Sequence, residues 1–101
     1  MRILAVERPI SGVTAERFTP EIRAAEARVT WDMHQAGVIR ELYFRADEEM
    51  AVLVLECAGR AEAEAALARL PMVATGLIEF EVWPLRAYPG FARLFAPTSE
   101  G

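Results

Sequence analysis

The chain has no lysine, a single cysteine and a single histidine among its 101 residues. Each scarcity excludes something. Cys57 alone forms neither an intrachain disulfide nor a cysteine-based metal cluster, and it fits a reducing compartment. With one histidine per chain, His34, no His-x-x-x-His metal pair is present. Glycine-rich phosphate loops and a G-x-S-x-G nucleophile turn are missing as well. Long hydrophobic runs are lacking: Ile3 to Val6 is cut short by Glu7, Arg8 and Pro9, and no run approaches the roughly 20 residues that span a bilayer. The 11 basic side chains, all arginine, are outnumbered by 15 acidic ones. The resulting net charge of -4 has the wrong sign for nucleic acid or an anionic membrane as partner. These features predict a cytoplasmic protein with no cofactor, no metal, no nucleic-acid partner and no membrane partner.

What is present is enough for one modest core. A chain of this length with 53% apolar residues makes one domain, read here as residues 1–96 with a free tail over 97–101. A domain this small leaves much surface exposed, so burial between subunits would help it.

Four strands and two helices can be read along the chain. Arg2 to Glu7 is apolar on both faces and reads as a central strand. Thr19 and Pro20 open a helix on which Ile22, Ala25, Val29, Met33 and Ala36 form one apolar stripe, closed by Gly37. Val38 to Ala46 and Met50 to Ala58 make a hairpin around Asp47 and Glu48. In that register Tyr43 faces Val52, Glu41 faces Val54 and Ile39 faces Glu56. The opposite face then holds Val38, Arg40, Leu42, Phe44, Ala51, Leu53, Leu55 and Cys57, so it must lie under the helices. Arg60 to Leu70 is a second helix, with Pro71 as its stop. In the last strand Ile78, Phe80 and Val82 alternate with Glu79, Glu81 and Trp83, an edge-strand pattern.

The order β-α-β-β-α-β is the ferredoxin-like α+β arrangement, a four-stranded antiparallel sheet with two helices on one face. Strands one and three are central in that topology, and they are the two runs apolar on both faces. The other sheet face would carry Leu4, Val6, Val52, Val54 and Trp83, and a second subunit packed sheet to sheet would cover it.

Gly37-Val38-Ile39-Arg40-Glu41-Leu42-Tyr43, and Leu70-Pro71 followed by Ile78-Glu79-Phe80-Glu81-Val82-Trp83-Pro84-Leu85, resemble the muconolactone isomerases and their relatives. The resemblance runs from Ala27 through Phe91. It implies a dimeric α+β barrel, larger rings built from such dimers, and a cofactor-independent proton shift within an unsaturated lactone that bears a carboxylate. The pattern departs from the family at Phe44, where a second arginine would stand, and at Glu41, where a histidine would stand.

Several side chains are candidates for chemistry or contact. His34 suits a general base by residue type, although a helix C-terminus favours such a residue on electrostatic grounds alone. It lies about 120° from the centre of the apolar stripe at helical spacing. Arg40 is the one charge on the helix-side face of its strand. It would grip a ligand anion, or instead pair with Glu26 or a carbonyl at the end of the first helix. His34 and Arg40 together outline a pocket between that helix and the sheet, with Glu41 as a carboxylate able to move a proton and Tyr43 as a ligand contact. Trp31, opposite the apolar stripe, marks a contact or lies under the chain's own tail. Arg45, Glu79, Glu81 and Trp83, with Phe91 and Phe95 of the tail, read as subunit contacts. Cys57 reads as a small buried apolar residue.

The reading that results is a muconolactone isomerase-like protein acting on a small anionic unsaturated ring or carbonyl compound, assembled as a homodimer or higher homo-oligomer. The alternatives are a non-catalytic binding or assembly module on the same barrel, and a cofactor-free monooxygenase of related barrels.

Overall fold

Strands β1 (Arg2–Pro9), β2 (Ile39–Phe44), β3 (Ala51–Glu56) and β4 (Ile78–Pro84) build one antiparallel sheet in the order β2-β3-β1-β4. The structure is a computed structural model and describes residues 1–95. The free tail expected over 97–101 and the boundary expected at 96 lie outside the described residues. The doubly apolar strands β1 and β3 are the central pair, and β4 is an edge. No helix among the described residues is long and apolar enough to cross a membrane.

The longest helix, α1 (Pro20–Gln35), begins and ends as local chemistry dictates. Thr19 Oγ1 accepts the Ile22 N–H at 3.2 Å, satisfying one of the free amides of the first turn. At the other end Gly37 adopts φ +81°, which lets its N–H reach the His34 carbonyl and the Val38 N–H reach that of Met33. This double closure needs a left-handed residue, and glycine takes that conformation without steric cost. Of the expected stripe, Met33 is buried and Ile22 and Val29 are half-buried, whereas Ala25 and Ala36 are exposed.

The second helix departs from its expected span. α2 (Arg60–Leu67) stops early, and Pro71 does not terminate it but opens a short third helix, α3 (Pro71–Ala74). Proline suits that first helical position because the N–H it lacks would have no intrahelical partner there. Gly76, at φ +76°, closes α3 by the same double bond pattern and aims the chain into β4.

One face of the sheet and the helices enclose the core, in which Ile3, Ala5, Ile39, Leu53, Leu55 and Val82 pack against Met33, Ala63, Leu67 and Leu70. Cys57 is buried in the same cluster, and burial pushes its thiol pKa up. Ala63, fully buried, brings α2 close to the sheet as its small side chain allows. The other face carries Leu4, Val6, Val52 and Val54, all half-buried, with Trp83 exposed beside them.

The β2–β3 hairpin corrects one part of the expected register. Tyr43 pairs with Val52 and Glu41 with Val54 as expected, but Ile39 pairs with Leu55 rather than Glu56 because the strand is irregular between Ile39 and Glu41. Regular alternation would have driven Arg40 into the apolar layer. The extra residue instead turns Ile39 inward, where it is fully buried, and leaves Arg40 exposed. Losing regular pairing at one position costs less than burying an unpaired guanidinium.

Beyond β4, the Leu85 N–H still donates to the Arg2 carbonyl, and a 3-10 turn follows over Gly90–Leu94. Tyr88 and Phe91 pack edge to face with ring centroids 5.0 Å apart. Phe91 and Phe95 nonetheless remain 68% and 83% exposed, so this segment does not bury its aromatic rings on its own chain.

Candidate functional site

Between α1 and the helix-side face of the sheet lies a cavity of about 780 Å³, within the roughly 300–1,000 Å³ usual for small-molecule sites. Its walls are mainly apolar. Leu53 and Leu70 form the deep end, Phe80 and Met72 one side, and Leu42 and Phe44 the other. Trp31, Phe44, Arg23 and Glu49 are exposed lining residues and mark the mouth.

Two carboxylates enter this apolar space from different elements. Glu7 follows Ile3 and Ala5 on the helix-side face of β1 and accepts the Ala51 N–H at 2.8 Å. Glu26 projects from α1 and accepts the Met72 N–H at 2.9 Å. Burial raises the pKa of both. The accepted amide bond opposes that shift in each case. The neighbouring charge then adds to it, from Glu49 on Glu7 and from Glu7 on Glu26. Carboxyl groups held in this way retain protons at a pH where ordinary glutamates have lost them.

His34 also lines the cavity, and its Nδ1 lies 2.9 Å from the Ile39 carbonyl. A carbonyl oxygen only accepts, so Nδ1 carries the hydrogen and neutral His34 has Nε2 as its free acceptor. The irregular pairing at Arg40 thus contributes to the site indirectly, by placing Ile39 beneath the end of α1.

The other sequence candidates fall in three places. Trp31 and Tyr43 take part in the cavity lining with His34. Arg40 does not: its Nε donates to the Gly37 carbonyl at 2.7 Å, which is the helix-end alternative and not the pairing with Glu26. The expectation that Arg40 occupies the helix-side face beside His34 is therefore corrected, for the reason given by the strand irregularity. Glu41 sits on the opposite sheet face and accepts the Tyr43 hydroxyl at 2.7 Å, which raises the Tyr43 pKa. Glu81 on that face pairs with Arg8 and accepts the Trp83 indole N–H at 2.7 Å, while Glu79 is exposed. Arg45 is occupied within its own turn, with Nε and Nη2 on the Asp47 carboxylate at 3.0 and 2.7 Å and Nη1 on Glu48 at 3.0 Å.

This arrangement of sheet and helices has a counterpart among solved structures. The crystal structure of muconolactone isomerase superposes with a TM-score of 0.68, covering 88% of this chain and 92% of that one at 18% identity. The chain has a muconolactone isomerase-like fold. A scan against protein-family models finds no match, and a search of curated proteins finds none. At that level of identity the muconolactone isomerase-like fold is the content of the likeness, and the chemistry rests on this chain's own side chains.

Glu7 and Glu26 are the residues that reading the sequence for function missed, yet both had signals. Glu7 shares the period-two face of Ile3 and Ala5. At helical spacing Glu26 lies within about 40° of Ile22 and Met33, inside the apolar stripe. An acidic residue on a face that must be buried is the anomaly worth following.

Proposed function

We propose that this protein is a cofactor-independent isomerase that moves a proton within a small unsaturated ring or carbonyl compound bound in the cavity beneath α1. The observation that carries the reading is the pair of carboxyl groups, Glu7 and Glu26, raised in pKa by burial in one apolar cavity. Two such groups at different walls favour the state in which one is ionised and the other protonated.

The chemistry follows from that state. Ionised Glu7, whose charge holds the proton on Glu26, takes a proton from the carbon next to the carbonyl, the C–H electron pair moves into the conjugated system, and the carbonyl oxygen becomes an enolate. Protonated Glu26 donates a hydrogen bond to that oxygen, using the carboxyl oxygen that does not accept from Met72. Glu7 then returns the proton to a carbon further along the conjugated system, so the double bond shifts with no net change in redox state. His34 supplies a second acceptor at the cavity wall. Surrounding apolar side chains exclude water and strengthen each of these interactions.

Binding without turnover is the second reading, and a specific observation favours it. Glu7 and Glu26 each tie a backbone amide of a neighbouring element, which is structural work a non-catalytic module would also need. A thermal-shift screen of unsaturated lactones and phenolic compounds, followed by NMR of each binder for movement of its double bond, separates the two. Binders that are never isomerised would leave the module.

The same reading includes a homodimer through the open sheet faces. Leu4, Val6, Val52 and Val54 form an apolar centre, and the surrounding strand positions carry both signs of charge in Arg8, Glu41, Glu79 and Glu81. A twofold axis would set this face against its own copy, burying the apolar centre and leaving the charged positions at the rim.

A further inference from the structure

Arg23 is a cation in the cavity lining that the proposed proton transfer does not use. Three contacts hold it at the mouth. Its Nε donates to the Phe18 carbonyl at 3.1 Å, the guanidinium lies over the Phe18 ring at 5.6 Å from the centroid, and Nη1 meets Glu49 Oε2 at 3.2 Å. The Phe18 contacts come from the segment just before α1 and fix where the guanidinium sits. The Glu49 contact is different in kind. Glu49 belongs to the β2–β3 turn region, both partners are more than half exposed, and an exposed ion pair contributes little net stability. Glu49 is therefore a counter-ion that another carboxylate replaces at small cost.

We infer that Arg23 is the specificity-determining residue of the cavity, selecting ligands with a carboxylate at one end, and that Glu49 occupies the anion position until such a ligand displaces it. A planar guanidinium accepts a carboxylate through two parallel bonds, and Phe18 already restricts its motion. The ligand class that fits is a compact apolar body with one terminal carboxylate. Its charged end would lie at the mouth, and its apolar end would reach towards Leu53 and Leu70. This placement rests on the cavity being the ligand site. Arg40, tied to Gly37 and outside the lining, takes no part.

The test uses a matched pair of probes, phenylacetate and the uncharged phenylacetamide, titrated into the full chain by Trp31 fluorescence. The wild-type protein should prefer the acid. Arg23→Gln should weaken phenylacetate roughly tenfold or more and leave phenylacetamide unchanged, while Arg23→Lys should retain part of the preference. Glu49→Gln, which removes the competitor, should strengthen phenylacetate by about two- to fivefold. These opposite signs at two partners of one ion pair are not expected from a merely structural role. A preference for the acid that survives in Arg23→Gln, or is absent from the wild type while the amide binds, overturns the role of Arg23 alone. If neither probe binds, the cavity reading falls and this inference falls with it.

Discussion

The charge of Glu7 on β1 raises the pKa of Glu26 on α1, so the two walls of the cavity are electrostatically linked. Burial is the larger cause for both groups. The linkage makes the site sensitive to pH in a direction that can be worked out.

Each glutamate is raised above 4.5 in the folded state, so in a window upward from that value the native protein holds protons the unfolded chain has released. Folding takes up protons there, and stability must fall as pH rises through the window. The groups facing the pair are Arg23, His34 and Glu49, together with each other. Glu26→Gln should flatten the fall, measured as urea midpoints across a pH series. An unchanged pH dependence would show that Glu26 titrates normally.

Structure and charge at Glu26 can be separated by two substitutions. Glu26→Gln keeps an acceptor for the Met72 amide and should be tolerated, whereas Glu26→Ala leaves that part-buried N–H without its partner and should cost about 1–3 kcal/mol. Denaturation of both variants at one pH checks this. Equal losses would mean that the bond to Met72 contributes nothing.

Gly37→Ala should destabilise the protein by about 1–2 kcal/mol, because an alanine at φ +81° is strained. The space around it is open enough: an added Cβ would meet nothing closer than the Arg40 guanidinium at 3.8 Å. The loss should therefore be conformational, and Gly37→Asn, which tolerates the left-handed region better, should recover part of it. Chemical denaturation of the two variants provides the comparison.

On the open sheet face, Val54→Glu should convert a dimer to a monomer in light scattering while the far-ultraviolet circular dichroism stays native. Val54 points away from the core cluster, so the added charge would enter the interface of the proposed dimer and not the layer beneath the helices. A wild-type protein that already runs as a stable monomer would remove the association.

Much of this fold was legible because single residues carry strong local signals. Thr19 with Pro20 marked the start of α1, Gly37 marked its end, and the two doubly apolar runs marked the centre of the sheet. Pro71 misled because proline is equally at home stopping one helix and starting the next, and only the turn at Leu70 distinguishes the two. The shift at Ile39 was invisible for a related reason. Alternation shows which residues share a face only while the pairing is regular, and the penalty for burying Arg40 breaks it. That break removed Arg40 from the site the pattern had placed it in. Glu7 and Glu26 stand on the apolar faces of β1 and α1, but the lone histidine His34 and the charge of Arg40 on an apolar strand face were the more conspicuous signals.

The most direct test of the account is the exchange of carbon-bound hydrogen for deuterium, followed by NMR in D2O, in unsaturated lactones and carbonyl compounds that bind the protein. The wild-type protein should catalyse exchange next to the carbonyl. Glu7→Gln should reduce the rate by about 10²-fold or more, and Glu26→Gln, which keeps a hydrogen-bond donor, should reduce it less. Exchange at the wild-type rate in Glu7→Gln, or no exchange in any compound shown to occupy the cavity, would contradict the account.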